Sequence, residues 1–249
     1  MGIRKHIPNT ITSMNLLCGT VGVILTLHGA PDTAFYLMLG ACVADFADGL
    51  SARLLGAYSD IGKELDSLSD MVSFGVLPAL MLWASMDKVG AWVGVTRWIT
   101  LILAVCSALR LAKFNVDERQ HSDFLGVATP TSALIVGSLV YLMYHSEWKD
   151  SMAQSWWALP LVAVVLSLLV VSEIPCFGMK IQKGGGIRAL LASRRRRLFF
   201  EGVIICCAMT WICGMNWSLA VLSSFTLYII INVTAYLAGA KTKEKGPEA

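Results

Sequence analysis

Charged residues are scarce in this 249-residue chain, and their scarcity argues against a soluble globular protein. They make up 15% of the sequence, while hydrophobic residues make up 56% and the mean hydropathy is +0.64. Soluble domains carry roughly 25% charged residues. A membrane-spanning helix needs about 20 mostly apolar residues. We predict an all-α polytopic membrane protein with about eight transmembrane helices, at 11–28, 34–55, 67–86, 91–111, 128–145, 156–172, 199–215 and 217–238.

Cysteine pairs, histidine clusters and phosphate loops are also missing. The seven cysteines are odd in number and show no CxxC spacing, so the sequence indicates neither a disulfide framework nor a zinc site. The four histidines are scattered. No Gly-Lys-Ser/Thr sequence follows the glycine run 184–186, which excludes a P-loop. We expect no nucleic-acid partner.

Basic residues are nearly absent from one side of the predicted membrane. If the amino terminus is cytoplasmic, only Lys88, Arg97 and Lys149 of the 20 lysines and arginines fall on the outer side. The arginine run 194–197 then serves as a topology signal and attracts anionic lipid headgroups. A cleaved signal peptide is disfavoured, because the first apolar run is long and contains Thr12 and Asn15. We predict that both termini are cytoplasmic.

Acidic residues concentrate in one stretch, DFADGLSARLLGAYSDIGKELDSLSD, which covers residues 45–70. Asp45 and Asp48 are three residues apart near the inner end of the second predicted span. Asp66 and Asp70 are four apart at the start of the third, so each pair lies on one helical face. The residues between the pairs include Gly56 and Gly62, enough for a turn that brings the chain back antiparallel. We expect the two acidic faces to meet at the cytoplasmic boundary.

Four facing carboxylates repel each other unless cations lie between them. Hard oxygen ligands suit Mg²⁺ or Mn²⁺, and two such ions form a clamp for displacement at phosphorus. Gly49 leaves room for a diphosphate, Ala52 keeps the same face open, and Arg53 offers a planar fork for phosphate oxygens. The alternative is a charge network in which Arg53 and Lys63 neutralise the aspartates, but two positive charges do not balance four negative ones.

The spacing of these residues resembles the signature of a known enzyme family. The pattern Asp48-Gly49-x2-Ala52-Arg53-x8-Gly62-x3-Asp66-x3-Asp70 is similar to that of the CDP-alcohol phosphatidyltransferases, with Asp45 as the further acidic residue upstream. The resemblance implies a six-helix membrane core, a homodimer, and a two-metal site open to the cytoplasm. It also implies transfer of a phosphatidyl group from a CDP-linked lipid to an alcohol, with release of CMP.

Three further stretches resemble the bacterial phosphatidylserine synthase branch of this family. They are IPNTITSMNLLCG (7–19), ELDSLSDMVSFGVLPA (64–79) and ALRLAKFNV (108–116). In FLGVATP, Ala128 stands where the branch has the first proline of a Gly-Leu-Pro-x-Pro run. We expect a membrane core at 1–175, a basic cytoplasmic loop at 176–198, and two further transmembrane helices with a basic tail at 199–249. The bacterial cytoplasmic membrane is the expected location.

The branch implies CDP-diacylglycerol and L-serine as substrates, and each set of polar residues then has an expected role. Asp45, Asp48, Asp66 and Asp70 are the expected metal ligands, and Asp70 is also the expected catalytic base for the serine hydroxyl. The expected CDP-diacylglycerol contacts are Asn9, Thr12, Gly49, Ala52, Arg53 and Gly62, with Asn15 as a further candidate. The expected serine contacts at the inner end of the fourth span are Arg110, Lys113 and Asn115.

Two alternatives stay open from the residues alone. Glycerol phosphate or inositol phosphate could replace serine, although a dianionic acceptor calls for a denser basic pocket. Apart from the choice of acceptor, Arg110 and Lys113 could instead be ordinary inner-side residues with snorkelling stems. An ion-coupled transporter is the other class, but transporter sites lie near the midplane between related repeats. Here the carboxylates cluster at one boundary.

Overall fold

The computed structural model describes residues 6–86, 91–116, 124–147, 149–177 and 193–244. Lys88, most of the predicted basic loop 176–198 and the tail after residue 244 lie outside these ranges. The described residues form nine helices and one short pair of strands.

The first four helices carry the polar residues of interest. Helix α1 is His6–Leu27 and α2 is Pro31–Leu55. Helix α3 runs through Asp60–Asp70, a π-helical segment Met71–Val76, and Leu77–Ser85. Helix α4 comprises Ala91–Thr96, a 3-10 segment Arg97–Leu101, and Ile102–Val116.

Five helices and two strands follow along the chain. The helices are α5 (Thr129–Tyr144), α6 (Lys149–Gln154), α7 (Ala158–Val171), α8 (Arg194–Ile212) and α9 (Trp217–Glu244). Strand β1 is Phe124–Leu125 and strand β2 is Pro175–Cys176.

Length and composition make this a polytopic membrane protein. Helices α1, α2, α3, α4 and α9 are each long and apolar enough to cross a bilayer, and α5 and α7 are shorter apolar helices. Helix α8 begins with the arginine run, so its first turn is charged. Each of the eight predicted spans overlaps a helix of the structure, but α8, which overlaps 199–215, is not among the helices that are long and apolar enough to cross a bilayer.

Local sequence signals explain how α2 ends and α3 begins. Gly56 adopts the left-handed conformation (φ 58°) after the last residue of α2, and the Ala57 N–H returns to the Ala52 carbonyl at 3.0 Å. Ser59 caps α3, because its hydroxyl accepts the Gly62 N–H at 3.0 Å. The turn between the acidic pairs is therefore residues 56–59. Gly62 lies within the first turn of α3, outside that turn.

The core lies where α1, α2, α3 and α5 pack together. Phe35 and Met38 on α2 and Phe74 and Leu77 on α3 are fully buried within it. Helix α1 approaches α3 closely at Gly19, where an added Cβ would overlap the Ser73 hydroxyl and lie 2.9 Å from the Ser73 Cα. This close approach brings the polar face of α1 against the acidic stretch.

The two short strands were not predicted from the sequence. They pair antiparallel, with Phe124 opposite Cys176 and Leu125 opposite Pro175. Gly126 follows β1 with φ +76°, and a Cβ there would lie 2.5 Å from the Val170 carbonyl. A glycine is required at this position, both for its backbone conformation and for the close contact. The pair ties the segment before α5 to the segment after α7.

Candidate metal centre and substrate cavity

Three of the four predicted metal ligands lie together where α2 and α3 face each other. One carboxylate oxygen from each of Asp45, Asp48 and Asp66 falls within 4.8 Å of the others. Asp48 is buried, while Asp45 and Asp66 are half-buried. The antiparallel turn predicted from the glycines thus places the two acidic faces against each other.

Helix α1 supplies polar partners to the acidic residues. The Thr12 hydroxyl donates to Asp48 Oδ2 at 2.6 Å, and it also bonds to the carbonyl of Pro8 in its own helix. The Asn15 amide donates to Asp70 Oδ1 at 3.1 Å. Sequence reasoning treated Asn15 as a nucleotide contact and missed its bond to Asp70. Its spacing of three residues from Thr12, on the same face of α1, was the signal that could have revealed it.

Asp70 lies one turn beyond Asp66 on α3, outside the group of three. It interacts electrostatically with Asp45 and Asp66, so it belongs to the same acidic region. Its position beside the group, with one oxygen held by Asn15, leaves it free to play a part different from that of the other three.

The acidic group has the properties of a cation site. Asp66 Oδ1 is buried without a hydrogen-bond partner, which is costly for a carboxylate unless a ligand satisfies it. Across the described ranges, no lysine or arginine forms an ion pair with these aspartates. Three carboxylate oxygens at this spacing fit a hard divalent cation such as Mg²⁺ or Mn²⁺.

The charge network considered as an alternative does not form. Arg53 Nε donates to the Gly49 carbonyl at 2.8 Å, and Lys63 Nζ donates to the Asn115 carbonyl at 3.2 Å. Both cations therefore bond to backbone carbonyls instead of to the aspartates. The negative charge of the acidic group stays available for a ligand.

A cavity of about 540 Å³ opens beside the acidic group. All six residues predicted to contact CDP-diacylglycerol line it, together with two of the aspartates. Its walls are Pro8, Asn9, Thr12, Asp48, Gly49, Ala52, Arg53, Ala57, Tyr58, Ser59, Gly62, Lys63 and Asp66. A Cβ on Gly62 would lie 2.9 Å from Asn9 Oδ1, so the missing side chain keeps α1 and α3 close at this wall.

The three residues predicted to contact serine occupy different environments. Arg110 is buried, with 8% of its surface exposed, and its Nη1 donates to the Thr129 hydroxyl at 3.5 Å. Lys113 is exposed. The Asn115 amide donates to Ser67 Oγ at 2.9 Å, next to Asp66 on α3. Sequence reasoning did not identify Thr129 or Ser67 as neighbours of these residues.

The π-helical segment begins directly after Asp70. Within it, the Ser73 hydroxyl donates to the Asn15 carbonyl at 3.0 Å, so α3 is fixed to α1 on both sides of this change in helix type. Single π-helical turns occur frequently at functional sites, because they alter which side chains face a given direction.

Comparison with known proteins agrees with the site geometry. A family model described as CDP-alcohol phosphatidyltransferase matches residues 5–170. The chain belongs to the CDP-alcohol phosphatidyltransferase family.

Three curated proteins that share one name are similar to the chain. The chain is 36% identical over 186 residues to a CDP-diacylglycerol–serine O-phosphatidyltransferase of Mycobacterium tuberculosis (strain ATCC 25618 / H37Rv), covering 70% of this chain and 62% of that protein. Proteins with the same name match from Bacillus subtilis (33% identity, 55% of this chain, 77% of that one) and Methanocaldococcus jannaschii (31%, 69% and 75%). The chain therefore spans less than two thirds of the length of its mycobacterial relatives.

Proposed function

We propose that this protein transfers the phosphatidyl group of CDP-diacylglycerol to the hydroxyl of L-serine, giving phosphatidylserine and CMP. The observation that carries the proposal is the acidic group at the wall of a cavity lined by the family's signature residues. The choice of serine is supported by the names of the three relatives, each a serine O-phosphatidyltransferase.

Asp45, Asp48, Asp66 and Asp70 are proposed to hold two divalent cations, Mg²⁺ or Mn²⁺. The unpartnered Asp66 oxygen and the close spacing of three carboxylates support this assignment. When bound, such ions polarise a diphosphate and stabilise the charge that develops on a departing phosphate. The hydroxyl of Thr12 orients one of these carboxylates by its bond to Asp48.

The remaining cavity residues bind and orient the nucleotide lipid. Gly49 has no side chain and that of Ala52 is small, so the diphosphate can approach α2 closely at this wall of the cavity. Arg53 is exposed at the cavity, so its terminal nitrogens can bond to phosphate oxygens while Nε stays on Gly49. Asn9 and Thr12 face the same space from α1, and Gly62 faces it from α3.

Asp70 is proposed to take the proton from the serine hydroxyl. A serine alkoxide is not available at neutral pH, so a base must accept the proton as the oxygen attacks. The serine oxygen forms a bond to the phosphorus that carries diacylglycerol, and the bond from that phosphorus to the bridging oxygen of CMP breaks. Asn15 holds one oxygen of Asp70 and so fixes the direction of the other.

Arg110, Lys113 and Asn115 are proposed to bind serine. The acceptor carboxylate needs a cation or a set of donors, and the buried guanidinium of Arg110 lies within electrostatic range of Asp70. Asn115 is tied to Ser67, one residue from Asp66, which brings the end of α4 next to the acidic group.

The proposed organisation follows from the helices. Helices α1–α5 and α7 form the six-helix core within residues 1–175, residues 176–198 form a basic loop, and α8 and α9 add two spans within 199–249. The site is proposed to open to the cytoplasm of a bacterium, with both termini on that side. The homodimer implied by the family resemblance stays a prediction.

One assay tests the function directly. The purified full-length chain in detergent is incubated with CDP-diacylglycerol and Mn²⁺ or Mg²⁺, and CMP release is measured with serine, glycerol 3-phosphate, inositol phosphate or no acceptor. We expect CMP release that depends on serine and stops on addition of a chelator. Release with another acceptor alone, or full activity after exhaustive chelation, would contradict the proposal.

A further inference from the structure

Helix α9 lies beyond the region that the family model matches, yet its buried polar side chains hold the chain that follows α7. Asn232 is 1% exposed, and its Oδ1 accepts the Phe177 N–H at 3.2 Å. The Tyr228 hydroxyl donates to the Phe177 carbonyl at 3.1 Å. Both backbone groups of one residue are thus bonded by α9. The Asn232 amide also donates to the Tyr228 carbonyl at 2.9 Å, which fixes its orientation.

Apolar packing reinforces these hydrogen bonds. The Phe177 ring makes edge contacts with Tyr228 and with Phe199 of α8, at centroid distances of 4.9 and 5.9 Å. These rings form a small buried cluster with Val127, Val170 and Cys176, apart from the main core. Polar groups buried in an apolar cluster specify one arrangement, because an alternative would leave them unbonded.

Phe177 is connected through neighbouring backbone contacts to the part of the proposed site that binds serine. Phe177 directly follows β2, which pairs with β1. The Gly126 N–H bonds to the Ile174 carbonyl at 3.0 Å, and the Val127 N–H bonds to the Leu169 carbonyl at 3.1 Å. Two residues after Val127, Thr129 begins α5 and accepts a hydrogen bond from Arg110.

Arg110 occupies the other end of this chain of contacts. Arg110 interacts electrostatically with Asp70 and also with Cys176 and Tyr228, so it lies within reach of both the acidic region and the cluster around Phe177. Its Nε is buried without a hydrogen-bond partner. A buried guanidinium with a spare donor is suited to bind a carboxylate, provided that its position is fixed.

We propose that Tyr228 and Asn232 of α9 are positioning residues for acceptor binding: they hold Phe177, and through the strand pair they hold Thr129 and Arg110 in place. This gives the helix after the family core a role in the site without contact with either substrate. The inference rests on the proposed function insofar as serine is the acceptor.

Kinetics of single variants test the inference. Tyr228→Phe removes one hydroxyl and keeps the ring, and Asn232→Leu removes both amide bonds at nearly constant volume. We expect each to raise the KM for serine about tenfold, because each removes one buried hydrogen bond to Phe177, with the KM for CDP-diacylglycerol unchanged. Ser224→Ala is the matched control, because Ser224 is also buried on α9, one turn earlier, and forms no hydrogen bond to Phe177 among the described contacts.

Tyr228 and Asn232 together form a clamp on Phe177, and a second measurement reports on this clamp without using activity. Cys176 is 1% exposed and adjoins Phe177. In a variant whose other six cysteines are replaced, we expect slow maleimide labelling of Cys176 in the parent and in Ser224→Ala. Faster labelling is expected in Tyr228→Phe and Asn232→Leu.

The outcomes separate the two proposals. Unchanged labelling in both α9 variants would overturn the clamp. An unchanged serine KM, or an equal rise in both KM values with a lowered thermal midpoint, would reduce α9 to a structural anchor and overturn the positioning role. If the parent protein releases no CMP with serine, the proposed function fails instead, and the labelling experiment still decides whether α9 holds Phe177.

Discussion

Single hydrogen bonds from α1 set the orientation of two of the four aspartates. Thr12 bonds to Asp48 and Asn15 bonds to Asp70, so residues of the first helix act on carboxylates from the second and the third. Hydrogen bonds to charged groups contribute about 1.5–3 kcal/mol. Loss of one such bond is therefore measurable, even though the aspartate itself stays in place.

Thr12→Val tests the first of these bonds. The variant keeps the shape of the side chain but removes the donor to Asp48, so we expect the concentration of Mn²⁺ needed for half-maximal activity to rise about tenfold or more. Thr10→Val is the control, since Thr10 is exposed and bonds only to the His6 carbonyl in the described contacts. Equal metal requirements for the two variants would show that the bond from Thr12 to Asp48 does not contribute to metal binding.

Asp70→Asn tests the base. The amide preserves the size of the side chain but cannot accept the proton, so we expect turnover to fall by about 10²-fold or more. Binding of CDP-diacylglycerol, measured by protection of the purified protein against thermal unfolding, should persist. Undiminished CMP release by the purified variant would end the assignment of Asp70 as the base.

Arg110→Ala and Lys113→Ala test the serine pocket. Both should raise the KM for serine more than the KM for CDP-diacylglycerol, and the buried Arg110 should have the larger effect because its charge is less screened by water. Lys149→Ala serves as a control, because Lys149 contacts the Tyr144 ring and is predicted to lie on the outer side of the membrane, opposite the acidic group. A parallel rise in both Michaelis constants would indicate a structural role for the arginine.

Helix packing determines whether these side chains meet. Gly19 of α1 lies directly against Ser73 of α3, just beyond the level of Asn15 and Asp70. Larger residues at such contacts force helices apart, at a cost of about 1–3 kcal/mol. The close approach therefore supports both the stability of the core and the alignment of α1 with the acidic group.

Gly19→Ala should lower the thermal midpoint and reduce activity, because the new methyl group overlaps the Ser73 side chain and approaches its backbone. Gly40→Ala provides the comparison, since a Cβ at Gly40 meets nothing nearer than Cys18 Sγ at 3.7 Å. Thermal unfolding and CMP release are measured on both purified variants. Equal stability would show that α1 and α3 can separate without consequence.

Sequence patterns predicted some elements and missed others for identifiable reasons. The apolar runs indicated the helices, and the spacings of Asp45 from Asp48 and of Asp66 from Asp70 predicted that carboxylates from α2 and α3 would meet. Hydropathy carries no signal for a two-residue strand pair or for a π-helical turn. The bond from Asn15 to Asp70 depends on how α1 packs, which only the tertiary structure reveals.

The molecule as a whole is an assembly of apolar helices whose polar site lies toward one end. Tyr58, in the turn between α2 and α3, and Trp156, before α7, are both exposed, at 70% and 56%. The predicted topology puts Tyr58 in the cytoplasm and Trp156 on the opposite side of the membrane. The distribution of basic residues is the physical basis for this expectation.

Single cysteines at these two positions, in a variant without the native cysteines, test the topology. We expect a membrane-impermeant maleimide to label Trp156→Cys in intact cells and to label Tyr58→Cys only after permeabilisation. The reverse pattern would show that the protein has the opposite orientation in the membrane and that the substrate cavity faces the outside of the cell.

The π-helical turn of α3 determines how this helix would respond to the loss of a single residue. A π turn contains one residue more than the α-helical turn it replaces, and each residue of an α-helix advances the direction of its side chain by about 100°. A one-codon deletion within Met71–Val76 would leave hydropathy almost unchanged. Because the shortened segment would form an ordinary α-helical turn, Asp66 and Asp70 would keep nearly their present direction relative to Leu77 in the core, and only residues within the turn would be displaced. A homologous gene with that gap would therefore encode the same acidic group, with the contacts of the turn, such as that of Ser73 with Asn15, rearranged.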